Sequence, residues 1–248
     1  MKKIITLSLL SSVLLTGFYS CKKEEHTPNN PNTNTPPTTL NAFTLKAPFA
    51  GILRLNAVGF SIGTKGYVGT GYSGYSPYAL RDFWEWDQVS NIWTQKADFE
   101  GEARYRAVGF SIGIKGYIGL GNKSTNPPNI SLCKDFWEYN PSNNSWTQKT
   151  DFGGSARSGA VSFSIGNKGY IGTGYDGVTN YGTKDFWEWD QAMDVWTQKT
   201  DFAGNVKTGS VGFSIGTKGY IGTAGGSSGS KEFFEWNQTT NTWTQKAD

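Results

Sequence analysis

Apolar and small residues alternate over residues 57–62. Val58, Phe60 and Ile62 fall on one face of an extended chain, and Ala57, Gly59 and Ser61 on the other. The hexad returns at 107–112 and, with one substitution each, at 160–165 and 210–215, which places Phe60, Phe110, Phe163 and Phe213 at a period of about 50 residues. Each copy continues with three more short segments: a glycine-rich KGYVG or KGYIG run, an aromatic run such as DFWEWD, and WTQK. The pattern predicts four short strands per copy. A tight glycine turn of the GTKG kind joins the first two, and an Asn- or Asp-bearing turn (DQVSN, NPSNN, DQAMD, NQTTN) joins the last two, both short enough for antiparallel hairpins. No amphipathic helical period occurs after Ala42, so the expected fold class is all-β.

A four-stranded sheet has two faces to cover, and stacking such sheets around an axis buries both against neighbours. All ten tryptophans lie in the third and fourth segments: Trp84, Trp86, Trp93, Trp137, Trp146, Trp187, Trp189, Trp196, Trp236 and Trp243. Indoles at equivalent places in every copy point to packing between sheets, since one ligand pocket would use only one or two of them.

The Gly-rich second strand, the aromatic third strand ending in Asp or Asn, and the Trp opening the fourth resemble a kelch-repeat β-propeller over residues 54–248. One departure is that the double glycine closing the second strand in kelch repeats is here GTG, GLG, GTG and GTAGG. The resemblance implies a kelch-type propeller over residues 43–248 with four visible four-stranded blades, as in the central domain of galactose oxidase. Kelch propellers usually have five to eight blades. The segment FTLKAPF at 43–49 resembles the exit WTQKADF, while the last copy already carries its own WTQKAD. Closure is therefore open between a four-bladed ring with a spare strand, a ring completed by another chain, and a fragment of a larger propeller, the last being favoured.

The N-terminus carries a different pattern. Lys2 and Lys3 precede an apolar run at 4–18 of about 15 residues, too short for a comfortable membrane span and suited to a signal peptide over residues 1–20. Ser20-Cys21 directly after it resembles the lipobox of bacterial lipoproteins, with Phe18 where a Leu is usual. KKEE after Cys21 looks like an export tag for surface lipoproteins. The expectation is acylation at Cys21, an outer-membrane lipoprotein exposed at the cell surface, and contact with membrane through that anchor alone. Residues 21–42, rich in Pro, Asn and Thr, read as a disordered tether.

Without Lys2 and Lys3 the 23 basic residues fall to 21 against 20 acidic ones, a net charge of +1 in place of +3, which argues against nucleic acid as a partner. Cys133 has no second cysteine beyond the one assigned to the anchor. The single histidine, His26, lies in the tether. The copper set of galactose oxidase, a His-based zinc site and a Ser-His-Asp or Cys-His dyad therefore cannot be assembled, and no cofactor, metal site or catalytic residue is expected. Paired carboxylates recur (Asp82 with Glu85, Asp135 with Glu138, Asp185 with Glu188, Glu232 with Glu235), and fourfold repetition favours structural ion pairs or solvation over a glycosidase dyad.

Two candidate binding sets remain. Arg54, Arg104, Arg157 and Lys207 occupy one register three residues before each first strand, with Arg106 as a fifth cation. Either they ring one mouth of the channel and attract anionic groups, or they pair with the acidic residue opening a nearby third strand. The loops between second and third strands differ most between copies and carry Tyr72, Tyr75, Tyr78, Tyr175 and Tyr181, flat surfaces suited to sugars or peptide side chains. The sequence thus points to an exported, non-catalytic module that binds a glycan or a protein through this loop face. A kelch-like sugar epimerase or mutarotase, which needs neither metal nor His, and an inert structural or adhesion module are the alternatives.

Overall fold

A computed structural model describes residues 43–123, 131–178, 182–205, 208–224 and 230–247. The chain divides into residues 1–44 and a compact unit of residues 45–248. The compact unit is a β-propeller of four blades, each a four-stranded antiparallel sheet in chain order. Blade 1 holds β1 (Val58–Ile62), β2 (Lys65–Gly69), β3 (Phe83–Asp87) and β4 (Ile92–Gln95); blade 2 holds β5 (Val108–Ile112), β6 (Lys115–Gly119), β7 (Phe136–Asn140) and β8 (Ser145–Lys149). Blade 3 holds β9 (Val161–Ile165), β10 (Lys168–Gly172), β11 (Phe186–Asp190) and β12 (Val195–Lys199); blade 4 holds β13 (Val211–Ile215), β14 (Lys218–Ala224), β15 (Ser230–Asn237) and β16 (Thr242–Ala247). No helix occurs among the described residues.

Local chemistry explains the hairpins. Register Ile62↔Lys65 leaves a two-residue turn whose first member, Gly63, has φ 57°, a left-handed conformation that a side chain would strain. At the other hairpin the residue before the fourth strand is also left-handed (Asn91, Asn144, Asp194, Asn241), as suits Asn and Asp. The GTG departure has its own form. Thr70 is fully buried at φ 57°, and Gly71 follows at φ 112°, where a Cβ would lie 3.1 Å from the Leu55 carbonyl oxygen.

The core forms between blades rather than within them. Val58, Ile62, Tyr67 and Phe83 of blade 1 pack with Ile118, Tyr139 and Trp146 of blade 2. Blade 2 meets Ile171 and Trp189 of blade 3 in the same way, and blade 3 meets Ile221 and Trp236 of blade 4. Trp137, Trp146, Trp187, Trp189, Trp196, Trp236 and Trp243 belong to these seam clusters, as their repetition predicts, while Trp84, Trp86 and Trp93 of blade 1 do not. Trp93, Trp146, Trp196 and Trp243 also donate their indole N–H to the carbonyls of Ala47, Ala97, Thr150 and Thr200, where the chain enters each blade. Segment 43–49 forms no strand, yet Ala47 and Phe49 do for blade 1 what Ala97 and Phe99 do for blade 2: Phe49 packs edge-on to Trp93 at 4.9 Å, Phe99 to Trp146 at 5.0 Å. Inner strands touch in the order β1, β5, β9, β13, and among the described residues β13 makes no contact with β1.

Candidate functional site

The register cations resolve toward pairing. Arg104 and Arg157 are 1% exposed, and each grips one carboxylate with both terminal nitrogens: Arg104 to Asp135 at 2.6 and 2.7 Å, Arg157 to Asp185 at 2.7 Å twice. Arg54 holds Asp82 in the same fork. Each guanidinium also donates to a backbone carbonyl at the end of the second strand (Thr70, Leu120, Thr173) and lies over a phenylalanine ring, Phe49, Phe99 or Phe152, about 5 Å from its centre. The three aspartates accept a further bond from Trp84, Trp137 and Trp187. Burial pushes these carboxyls up, but the arginine and tryptophan hydrogen bonds outweigh it and hold all three below the ordinary aspartate value. A ring of free cations is therefore not what this register builds; it fastens each blade's entry to its own third strand. In blade 4 Glu232 takes the aspartate's place and accepts from Asn205. Lys207, Tyr181 and Cys21 lie outside the described residues.

The second carboxylate of each pair is equally committed. Glu85, Glu138, Glu188 and Glu235 accept the hydroxyls of Tyr67, Tyr117, Tyr170 and Tyr220, and each has a lysine within 4 Å. Burial and the adjacent Glu85 raise the Tyr67 hydroxyl far above its ordinary value, which keeps it a donor at any physiological pH. Among the described residues no three His, Cys, Asp or Glu come together as a metal set.

The site lies two residues beyond the register, at Asn56, Arg106, Gly159 and Gly209. The Arg106 N–H donates to Asn56 O (3.0 Å), Gly159 N–H to Arg106 O (2.9 Å), and Gly209 N–H to Gly159 O (2.8 Å), a backbone chain that crosses all four blades. All four residues have positive φ, between 54° and 69°. Together with Ala57, Ala107 and Thr208 they line a cavity of about 390 Å³ at the point where the blades converge. The Arg106 side chain is exposed and has no ion pair or side-chain hydrogen bond among the described residues, unlike the three register arginines beside it.

The tyrosine loops reach this mouth as their position between second and third strands predicts. Tyr72 exchanges backbone hydrogen bonds with Leu55, and Tyr175 with Ser158, each next to a mouth residue. Tyr72 stacks on Tyr78 (5.9 Å) and meets Tyr105 edge-on (5.2 Å). Tyr75, at the loop tip, is 59% exposed. Sequence reading missed Tyr105 and the mouth residues other than Arg106. Their signal was available: residues two places after the register read Asn, Arg, Gly and Gly, a divergence between copies next to an invariant charge.

No family model matches the chain, and no curated protein matches it in sequence. A solved structure described as that of YjhT is similar in fold, with a TM-score of 0.70 and 15% identity, over 83% of this chain and 74% of the other.

Proposed function

We propose that this chain is a non-catalytic binding module of the kelch type, exported and held at the outer membrane by an acylated Cys21. In this reading it takes an acidic glycan on the loop face, with a carboxylate of the sugar meeting Arg106. The observation that carries the proposal is Arg106 itself, the one cation of that neighbourhood not matched by a carboxylate among the described residues, set in a cavity large enough for a sugar ring. A guanidinium with its fork unoccupied recognises a carboxylate through two parallel bonds. Tyr72 and Tyr175 pair through their backbones with Leu55 and Ser158, each next to a cavity residue, and Tyr75 is exposed at its loop tip, so these loops offer apolar faces for sugar rings. Glycan is preferred to protein because the site is a small concave mouth of about 390 Å³, on the scale of a sugar ring rather than of a protein surface. Binding is preferred to epimerisation because no carboxylate among the described residues lines the cavity to move a proton.

The test is a glycan array probed with the full chain and with Arg106→Gly, the residue that blades 3 and 4 already carry at that place. Glycans bearing uronic acids should bind the wild type, and the variant should bind about 10- to 100-fold more weakly, the worth of one charge-assisted bidentate contact. Equal binding by both chains, capture of acidic peptides in place of glycans, or turnover of the sugar would overturn the reading.

A further inference from the structure

The three seams between blades use one mechanism. Each blade turns a projecting face, with the Val-x-Phe-x-Ile side chains of its first strand, toward the next blade's glycine-rich recess. Phe60 covers Gly116 so closely that a Cβ there would sit 2.4 Å from the ring; Phe110 covers Gly169 at 2.4 Å and Phe163 covers Gly219 at 2.3 Å. Farther out, Phe83 meets Tyr139 and Trp146 of the next blade, Phe136 meets Trp189 and Trp196, and Phe186 meets Trp236 and Trp243, all between 4.8 and 5.2 Å.

One projecting face and one recess are left over, at the two ends of the series. On blade 4, Val211, Phe213 and Ile215 are 59%, 41% and 63% exposed, whereas Phe110 and Phe163 at the equivalent place are 4% exposed. Among the described residues the Phe233 ring meets only the aromatic rings of Tyr220 and Phe213, both in its own sheet. On blade 1, nothing from another sheet among the described residues covers Gly59 or Gly66; the nearest described atoms to a Cβ at either are 3.7 Å away and belong to blade 1. Trp86 is half-buried where Trp189 and Trp236 are completely enclosed.

We propose that blade 4 of one copy docks on blade 1 of a second copy, Phe213 entering the recess over Gly66 while Phe233 meets Trp86 and Trp93. The occupant is a second copy because this chain carries both halves of a seam whose register it displays three times. The pairing is head-to-tail, and two copies joined at both such seams would make a ring of eight blades, a number within the range propellers use. It is weaker than the internal seams for a visible reason: the Asn91 side-chain oxygen and the Trp93 indole N–H, which would receive the exit of a preceding blade, are already bonded to Ala47.

The experiment is native mass by light scattering across the micromolar range, on the full chain carrying Cys21→Ser to keep lipid out of the measurement. The expected mass is that of two chains. Phe213→Glu spoils the projecting face and Gly66→Leu fills the recess. Both positions are open within one copy, so each variant should fold, melt as the wild type does when diluted until it runs as one chain, and alone run as one chain. Mixing the two should restore a two-chain species, because the first retains a sound recess and the second a sound projecting face. Should Gly66→Leu misfold, Ser61→Arg on the same exposed face replaces it. A wild type of one-chain mass, dimers that survive both substitutions, or a mixture that does not recover would overturn the proposal.

Discussion

Replacing Arg104 by Met tests whether the register cations serve the fold. The change keeps much of the side chain's length over Phe99 but removes both bonds to Asp135, the bond to Leu120 O and the bond to Glu102 O. Asp135 keeps only the Trp137 indole among its side-chain donors and becomes a largely buried charge without a cation. Breaking such a pair from one side costs about 3–5 kcal/mol, a large share of the ~5–15 kcal/mol that holds an ordinary domain together. For a unit of this size that corresponds to a melting temperature lower by roughly 6–20 °C. The control is Arg81→Met, which breaks the exposed Arg81–Asp98 contact at 3.4 Å and should cost under about 1 kcal/mol. Urea unfolding followed by tryptophan fluorescence measures both. The double variant Arg104→Met, Asp135→Leu should regain part of the loss, since the stranded charge is gone, but not all, since the Leu120 carbonyl still lacks its donor. If Arg104→Met and Arg81→Met are equally mild, the buried fork does not anchor the blade and the reasoning fails.

The three aspartates also set the acid limit. Their folded pKa values lie below the unfolded value of about 3.9, so the unfolded chain takes up protons first; the stability they give is complete above about pH 5 and drains away as pH falls through the depressed folded values. Urea midpoints should be level near neutrality and fall below that point, and Asp185→Asn should lower the neutral midpoint while flattening the acid slope; an unaltered slope would exclude this source. Gly116→Ala places a Cβ 2.4 Å from the Phe60 ring and should cost about 1–3 kcal/mol by overpacking, whereas Gly66→Ala in dilute solution should be near neutral. Arg106→Gly should be as stable as the parent, or up to about 1 kcal/mol more so, because its left-handed backbone suits glycine; a clear loss of stability would show that the arginine serves packing.

The strands were legible because strict alternation and fourfold recurrence check each other. The hexad at 57–62 became β1 with one residue trimmed, and the aromatic run at 82–87 became β3 with the same trim. The partners of the charges were less legible. Arg54 and Asp82 are 28 residues apart and Arg104 and Asp135 are 31 apart, so an intervening hairpin and loop decide whether they meet. Both the free ring and the paired fork were consistent with the sequence; burial of the arginine stem against the entry phenylalanine settles it for the fork. The mouth was less legible still, because it exists only where residues from four copies converge, and alternation along one strand carries no information about an axis shared by four sheets. Closure, left open by the sequence, becomes a definite question once the exposed Phe213 face and the uncovered Gly66 recess are seen to match.

Repetition also tells which residues the fold does not need. The fork, the Tyr–Glu tie and the indole seams recur because every blade requires them, so they carry little information about a ligand. The mouth position imposes one demand, a left-handed backbone, and Asn56, Gly159 and Gly209 meet it in the ordinary way. Arg106 meets the same demand at φ 54° with a long side chain, at a cost of roughly 1–2 kcal/mol relative to glycine. Nothing among the described residues offsets that cost: the guanidinium has no carboxylate, no carbonyl and no aromatic ring to rest on, unlike Arg104 two residues earlier. A strained, unpartnered cation at the convergence of blades whose register arginines are all paired is where stabilisation by something outside the chain has the most to add.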